Sequence, residues 1–192
     1  LPSDKQIVLH CKSGVRSAEV LAILKDTDAD DVDGIDRDAV WELKRAALRI
    51  AFRHLGHLHA DHVAALHEEE GQALVDFATW CSLAATHGTQ WETDWPTELH
   101  DPESGSVEEH RREHRAEISF VVWQQWVVRH QLAQVQARLR GSGMGLGLVT
   151  DLAVGIHPEG ADSWALAPAL ARGIDVGAPP DQFNQLGQNW SQ

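Results

Sequence analysis

Apolar residues recur at helical spacing through most of this chain. Val40, Leu43, Ala47 and Ile50 fall on one stripe, with Trp41, Leu48 and Phe52 beside it. The spacing predicts a helix opened by Asp36 or Asp38 as a cap and buried on more than one face. Residues 60–70 predict a shorter helix closed by Gly71. Leu74, Phe77, Ala78, Cys81 and Ala85 repeat the spacing in a further helix that ends near Gly88. Residues 88–107 carry Pro96 and Pro102 among Gly, Ser and Asp, and read as a loop with one helical turn. Residues 108–140 read as the longest helix, with Ile118, Val122, Trp126 and His130 near one face and Gly141 and Gly143 ending it.

Strand patterns are fewer. Ile7, Val8 and Leu9 form a short β-prone run, followed by CKSGVR and then by SAEVLAILK at helical spacing. Residues 26–38, DTDADDVDGIDRD, read as a solvated linker. Beyond the glycines of 141–147, DLAVGI at 151–156 is the clearest strand, and the residues after Pro158 read as loop with one short helix around 162–170. No internal repeat is visible.

Composition narrows the function classes. The chain has 192 residues, room for one core but short of the roughly 250 of a complete eight-stranded barrel. A net charge of -13 repels polyanions and argues against nucleic acid as a partner. Two cysteines, Cys11 and Cys81, are too few for a disulfide framework, which fits a cytoplasmic location. No apolar run approaches membrane-spanning length. The eight Trp are a mixed signal, since indole faces stack on sugars but more often fill cores.

Two motifs carry chemistry. In CKSGVRS, Cys11 would end a strand, the amides of residues 12–16 would curl around its sulfur, and the next helix would aim its positive end there. The stretch IVLHCKSGVRSAE resembles the active loop of rhodanese-like sulfurtransferases, which implies a persulfide on Cys11 held by Arg16 and the loop amides. The structural alternative is a strand-loop-helix remnant with an idle thiol.

The second set is IDRDAVWELKRAAL, ALVDFATWCSLAATHG, a W-Q-Q-W helix, DLAVGI, GADSW and GAPPDQFNQLGQNW, in that order. It resembles the 4-α-glucanotransferases (amylomaltases) of glycoside hydrolase family 77. That resemblance implies an α/β, helix-rich fold: a partial (β/α)8 barrel over residues 34–192, preceded by a rhodanese-like piece at 1–33. It implies transfer of α-1,4-glucan segments between maltooligosaccharides by a retaining double displacement, with no cofactor. It places Asp151 beside the active site and Asp181, Phe183, Gln188 and Trp190 against sugar. Retention needs two carboxylates about 5 Å apart across the scissile bond. The resemblance puts both on barrel strands beyond Gln192, so the chain reads as part of an enzyme. Sulfur transfer through Cys11 and an inactive fused product are the alternatives.

Other signals are weaker. On a helix His54 with His57, or His59 with His62, could share a face and bind a metal, but Gly56 interrupts the pattern and no metal is expected. A calcium loop from Asp26 fails at Asp31 and Arg37, where Gly and a bidentate Glu belong. GSGMGLG follows a helix and opens a strand, the reverse of a dinucleotide cradle. Cys81 lies on an apolar stripe and reads as a small core residue.

Overall fold

A computed structural model of the chain describes residues 36–150, 155–171, 173–174 and 176–189. The strand-loop-helix piece at the start of the chain, with Cys11 and Arg16, lies outside the described residues, as do Asp151 and Trp190. The chain divides into two units, Leu1–His62 and Val63–Gln192, and each is described by itself.

In the first unit, α1 (Arg37–Leu55) starts where expected. Asp36 is extended, and its side chain accepts a hydrogen bond from the Ala39 amide at 3.0 Å, satisfying one of the orphan donors of the first turn. The expected burial on several faces is not found among its described side chains: Val40 and Trp41 are exposed, and none of those described is fully buried. A 3-10 turn (Gly56–His59) leads into α2 (Ala60–Glu70).

The second unit is organised by α3 (Gln72–His87), which follows Gly71 at φ 60°. Its length lets it serve two apolar clusters. Leu74 and Ala78 pack with Leu66 of α2 and with Val121 and Val122 of α6 (Arg115–Gly141). Leu83 packs with Trp91, Trp95, Leu99, Val107 and Trp164.

The Leu83 grouping is the first cluster and the Leu74 grouping the second, and the first adds burial and a further turn to the loop with one helical turn expected at 88–107. The segment holds α4 (Trp91–Asp94) and a 3-10 turn (Thr97–Leu99), and its Trp91, Trp95 and Leu99 are core residues. Trp91, Trp95 and Leu99 are spaced four apart and point one way despite Pro96. The buried indole N–H groups of Trp91, Trp95 and Trp164 each have an acceptor, whereas the buried Trp80 Nε1 has none among the described residues. Trp95 donates to the Gly88 carbonyl at 2.8 Å, and Trp164 donates to the Leu99 carbonyl at 2.9 Å. Trp91 is shared between Pro158 O and Ser163 Oγ, both at 3.2 Å.

The expected single helix over 108–140 is broken. α5 (Gly105–Glu113), capped by Ser104, ends at His114, whose φ of -102° and ψ of 23° leave the helical region before α6 begins. α5 holds a single large apolar residue, Val107, and residues 108–115 are all polar, so no apolar period is present there to mark the break. Its result is that α5 gives Val107 to one cluster while α6 gives Val121 and Val122 to the other.

Polar contacts bind α5 to α3. Arg111 donates to Asp76 Oδ1 at 2.6 Å and to Thr79 Oγ1 at 3.1 Å, and Ser82 Oγ meets His110 Nε2 at 2.9 Å. Arg129 of α6 pairs with both Glu69 and Glu70 of α2.

The short helix expected around 162–170 is α7 (Ala161–Ala165), continued by a 3-10 turn (Ala167–Ala169). β1 (Gly177–Ala178) pairs antiparallel with β2 (Gln188–Asn189), Gly177 opposite Asn189. The helix-rich character read from the spacing is present. Parallel barrel strands are not among the described residues.

Gly88 gives a direct test of this frame. It sits at φ 85° and ψ 175°, a region reserved for glycine, while an added Cβ would meet nothing nearer than Asp94 Oδ2 at 4.0 Å. Backbone strain alone should therefore make Gly88→Ala cost about 1–3 kcal/mol in urea denaturation. A loss below about 0.3 kcal/mol would mean that this turn has a different backbone.

Candidate functional site

Of the residues expected to touch sugar, Asp181, Phe183 and Gln188 lie in one described feature, the hairpin of β1 and β2 with its connection 179–187. Its conformation follows from short polar side chains that bond their own backbone. Asp181 Oδ1 accepts from the Phe183 amide at 2.8 Å and the Asn184 amide at 2.7 Å. The Asp181 amide donates back to Asn184 O at 3.0 Å, and Asn184 Oδ1 accepts from the Leu186 amide at 3.2 Å. Gly187, at φ 74°, completes the return, with its amide on Asn184 O at 3.2 Å.

The consequence is a stiff loop whose large apolar side chains face water. Phe183 is 88% exposed and Leu186 is 95% exposed. An ordered loop that holds an aromatic face in solvent is suited to receive the apolar face of a pyranose. Leu186 was not singled out from the sequence. Its signal was present, because Phe183 and Leu186 each directly precede a turn former, Asn184 and Gly187. Gln188 is exposed on β2. Asp181 gains a role its residue type did not reveal, since one carboxylate oxygen is committed to holding the loop.

Buried titratable groups lie elsewhere. His110 is packed against α3, and its imidazole stacks on His114 with centroids 4.1 Å apart. Burial lowers its pKa to about 4, with the neighbouring charges of His114, His87 and Arg111 adding to the effect. Burial first, then the nearby Glu117 carboxylate, pushes the Cys81 thiol up to about 11, so it is protonated near neutrality and acts as a core residue. Among the described residues no cluster of three or more His, Cys, Asp or Glu side chains is gathered to hold a metal, and no helix is long and apolar enough to cross a membrane.

GADSW serves the frame. Trp164 is buried in the first cluster, and Ser163 Oγ donates to Pro158 O and Gly160 O, closing the turn into α7. In the W-Q-Q-W helix, Trp123 is buried and Trp126 is covered by His130 stacked at 5.1 Å.

The profile of the glycoside hydrolase 77 family, described as 4-alpha-glucanotransferase, matches residues 8–192. The chain belongs to that family. It is 48% identical over 171 residues to a 4-alpha-glucanotransferase of Mycobacterium tuberculosis strain H37Rv, an overlap covering 85% of this chain and 23% of the relative. A 4-alpha-glucanotransferase of Thermus thermophilus is 25% identical over 166 residues, 81% of this chain and 33% of that protein. One from Haemophilus influenzae is 38% identical over 78 residues, covering 41% and 11%. The chain thus spans about a quarter of the length of its mycobacterial relative.

The family match begins at residue 8 and includes the CKSGVRS loop. The sulfurtransferase resemblance of that loop has no support in these comparisons.

Proposed function

We propose that this chain supplies part of a 4-α-glucanotransferase that moves α-1,4-glucan segments between maltooligosaccharides in the cytoplasm by a retaining double displacement. The observation that carries the reading is the family match over residues 8–192, together with 48% identity to a protein of that description. The reading includes a partial (β/α)8 barrel over 34–192. The two catalytic carboxylates are contributed by polypeptide outside the part that this chain spans.

Within the chain, the hairpin is the sugar-binding element. Asp181 fixes the loop and offers its second oxygen to a hydroxyl. Phe183 stacks on a ring, with Leu186 widening the apolar patch. Gln188 and Trp190 add a carboxamide and an indole, and Asp151 a further carboxylate for glucan. Sugars need this pairing of polar groups for hydroxyls and aromatic faces for their C–H sides.

Affinity electrophoresis through gels containing amylose, with calorimetry on maltoheptaose, tests the assignment. Phe183→Ala should weaken binding about three- to tenfold, the equivalent of roughly 0.7–1.4 kcal/mol. Its melting temperature should stay unchanged, because the ring is exposed. Absent binding by the wild-type chain, or equal affinity in the variant, would remove the hairpin from the site.

A further inference from the structure

The loop of the hairpin has committed elsewhere the groups with which proteins hold anions. Anions are held by guanidinium and ammonium groups or by converging backbone N–H donors. No Lys, Arg or His occurs from Gly173 to Gln192, and Asp181 is the one charged side chain of residues 177–189. Pro179 and Pro180 have no N–H to offer. The amides of Phe183 and Asn184 are on Asp181 Oδ1, the Leu186 amide is on Asn184 Oδ1, and those of Asp181 and Gly187 are on Asn184 O. The turn thus fills with its own oxygens the nest that a phosphate group would need.

What faces outward is neutral, with one exception. Gln182, Gln185 and Gln188 are exposed carboxamides, a group that both donates to and accepts from hydroxyls. The exception is the Asp181 carboxylate, which is exposed and held by two amides in a fixed position two residues from Phe183. A fixed anion beside the aromatic platform separates ligands of similar shape by their charge. A sugar hydroxyl gains an acceptor there, whereas a phosphate ester on the same glucose meets a like charge with no cation on the loop to offset it. We infer that the hairpin is a charge filter, which selects neutral glucan over glucan bearing phosphate esters, with Asp181 as the specificity-determining residue. This selectivity rests on the hairpin being the sugar-binding element, and adds to that reading the class of glucan it turns away.

Affinity electrophoresis of the full chain through gels of amylose, hydroxyethyl amylose and phosphorylated amylose tests it. The two derivatives carry the same density of substituents, so hydroxyethyl groups report bulk and phosphates report bulk with charge. The wild-type chain should bind phosphorylated amylose about five- to tenfold more weakly than hydroxyethyl amylose at about 20 mM salt. At about 1 M salt, where the screening length is about 3 Å, the ratio should fall below about twofold. Asp181→Asn keeps an oxygen for the Phe183 and Asn184 amides and removes the charge, so at low salt its ratio should be less than about half that of the wild type, whatever its affinity for plain amylose. Glu113→Gln removes an equal charge from α5 and should keep the wild-type ratio. A wild-type ratio of one, an unchanged ratio in Asp181→Asn, or an equal fall in both variants would overturn the inference and leave neutral glucan binding by the hairpin in place. Failure of the wild-type chain to bind plain amylose would overturn it together with the sugar-binding reading.

Discussion

Trp164→Ala should be the most damaging single substitution in the described structure, lowering stability by about 3–5 kcal/mol in urea denaturation. The side chain has no solvent exposure, lies in the cluster with Leu83, Trp91, Trp95, Leu99 and Val107, and meets the Trp95 ring edge-on at 6.0 Å. Removing the indole forfeits its burial, opens a cavity and leaves the Leu99 carbonyl without its 2.9 Å donor. The damage should also spread. α7 has five residues, too few to hold a helix by its own hydrogen bonds, so Trp164 is its anchor. Ser163 and Pro158, which accept from Trp91, sit on the same segment and should loosen with it. Trp164→Phe keeps most of the apolar volume but loses the N–H, and should cost about 1–3 kcal/mol. Trp126→Ala, only partly buried, is the control and should cost less than Trp164→Ala. Equal losses at positions 164 and 126 would mean that the first cluster is not the stability centre.

The contrast between Trp164 and Phe183 shows what the sequence could and could not reveal. Local rules act within a few residues, and they were legible: Asp36 caps α1, Gly71 separates α2 from α3, Gly88 ends α3, and α6 stops in the Gly141 to Gly143 stretch. Partnership is not local. Trp91, Trp95 and Leu99 sit among prolines and polar residues, and their burial depends on Leu83, Val107 and Trp164, which no spacing within 88–107 records. For the same reason α1 carries a convincing apolar stripe whose Val40 and Trp41 are nevertheless exposed. A stripe states that a face is fit for burial, while its cover lies elsewhere in the polypeptide.

The candidate site was legible as a motif but not as a mechanism of loop construction. GAPPDQFNQLGQNW pointed to Asp181, Phe183 and Gln188 as sugar contacts through its resemblance. Only the backbone geometry shows that Asp181 spends an oxygen on the Phe183 and Asn184 amides, so that Phe183 is presented by its neighbour. The break at His114 was hidden because the polar run 108–115 carries no apolar period that could change there, while its Glu and Arg residues favour helix on both sides. Its signal lay in the polar residues: His110 and Arg111 must both find partners on α3, Ser82 for one and Asp76 with Thr79 for the other.

That buried histidine makes the fold acid-sensitive above the range in which carboxylates titrate. Its pKa falls from the ordinary value near 6.5 to about 4, so between these values the unfolded chain binds a proton that the folded chain refuses. Stability from this group is thus fully present above about pH 6.5 and is lost as pH drops toward 4. The groups facing the ring are Ser82 and His87 from α3, and His114 and Arg111 from its own side, none of them anionic, so nothing nearby would welcome the imidazolium. His110 keeps 9% of its surface exposed, and with screening discounted the loss should be on the order of 2 kcal/mol. Melting temperatures of the wild-type chain should therefore fall more steeply from pH 6.5 to 4.5 than those of His110→Gln. The glutamine amide can still meet Ser82 and carries no titrating group, so that variant should lose its slope while keeping most of its stability at pH 7. If His110→Gln kept the wild-type slope, His110 would not be the group behind the acid sensitivity.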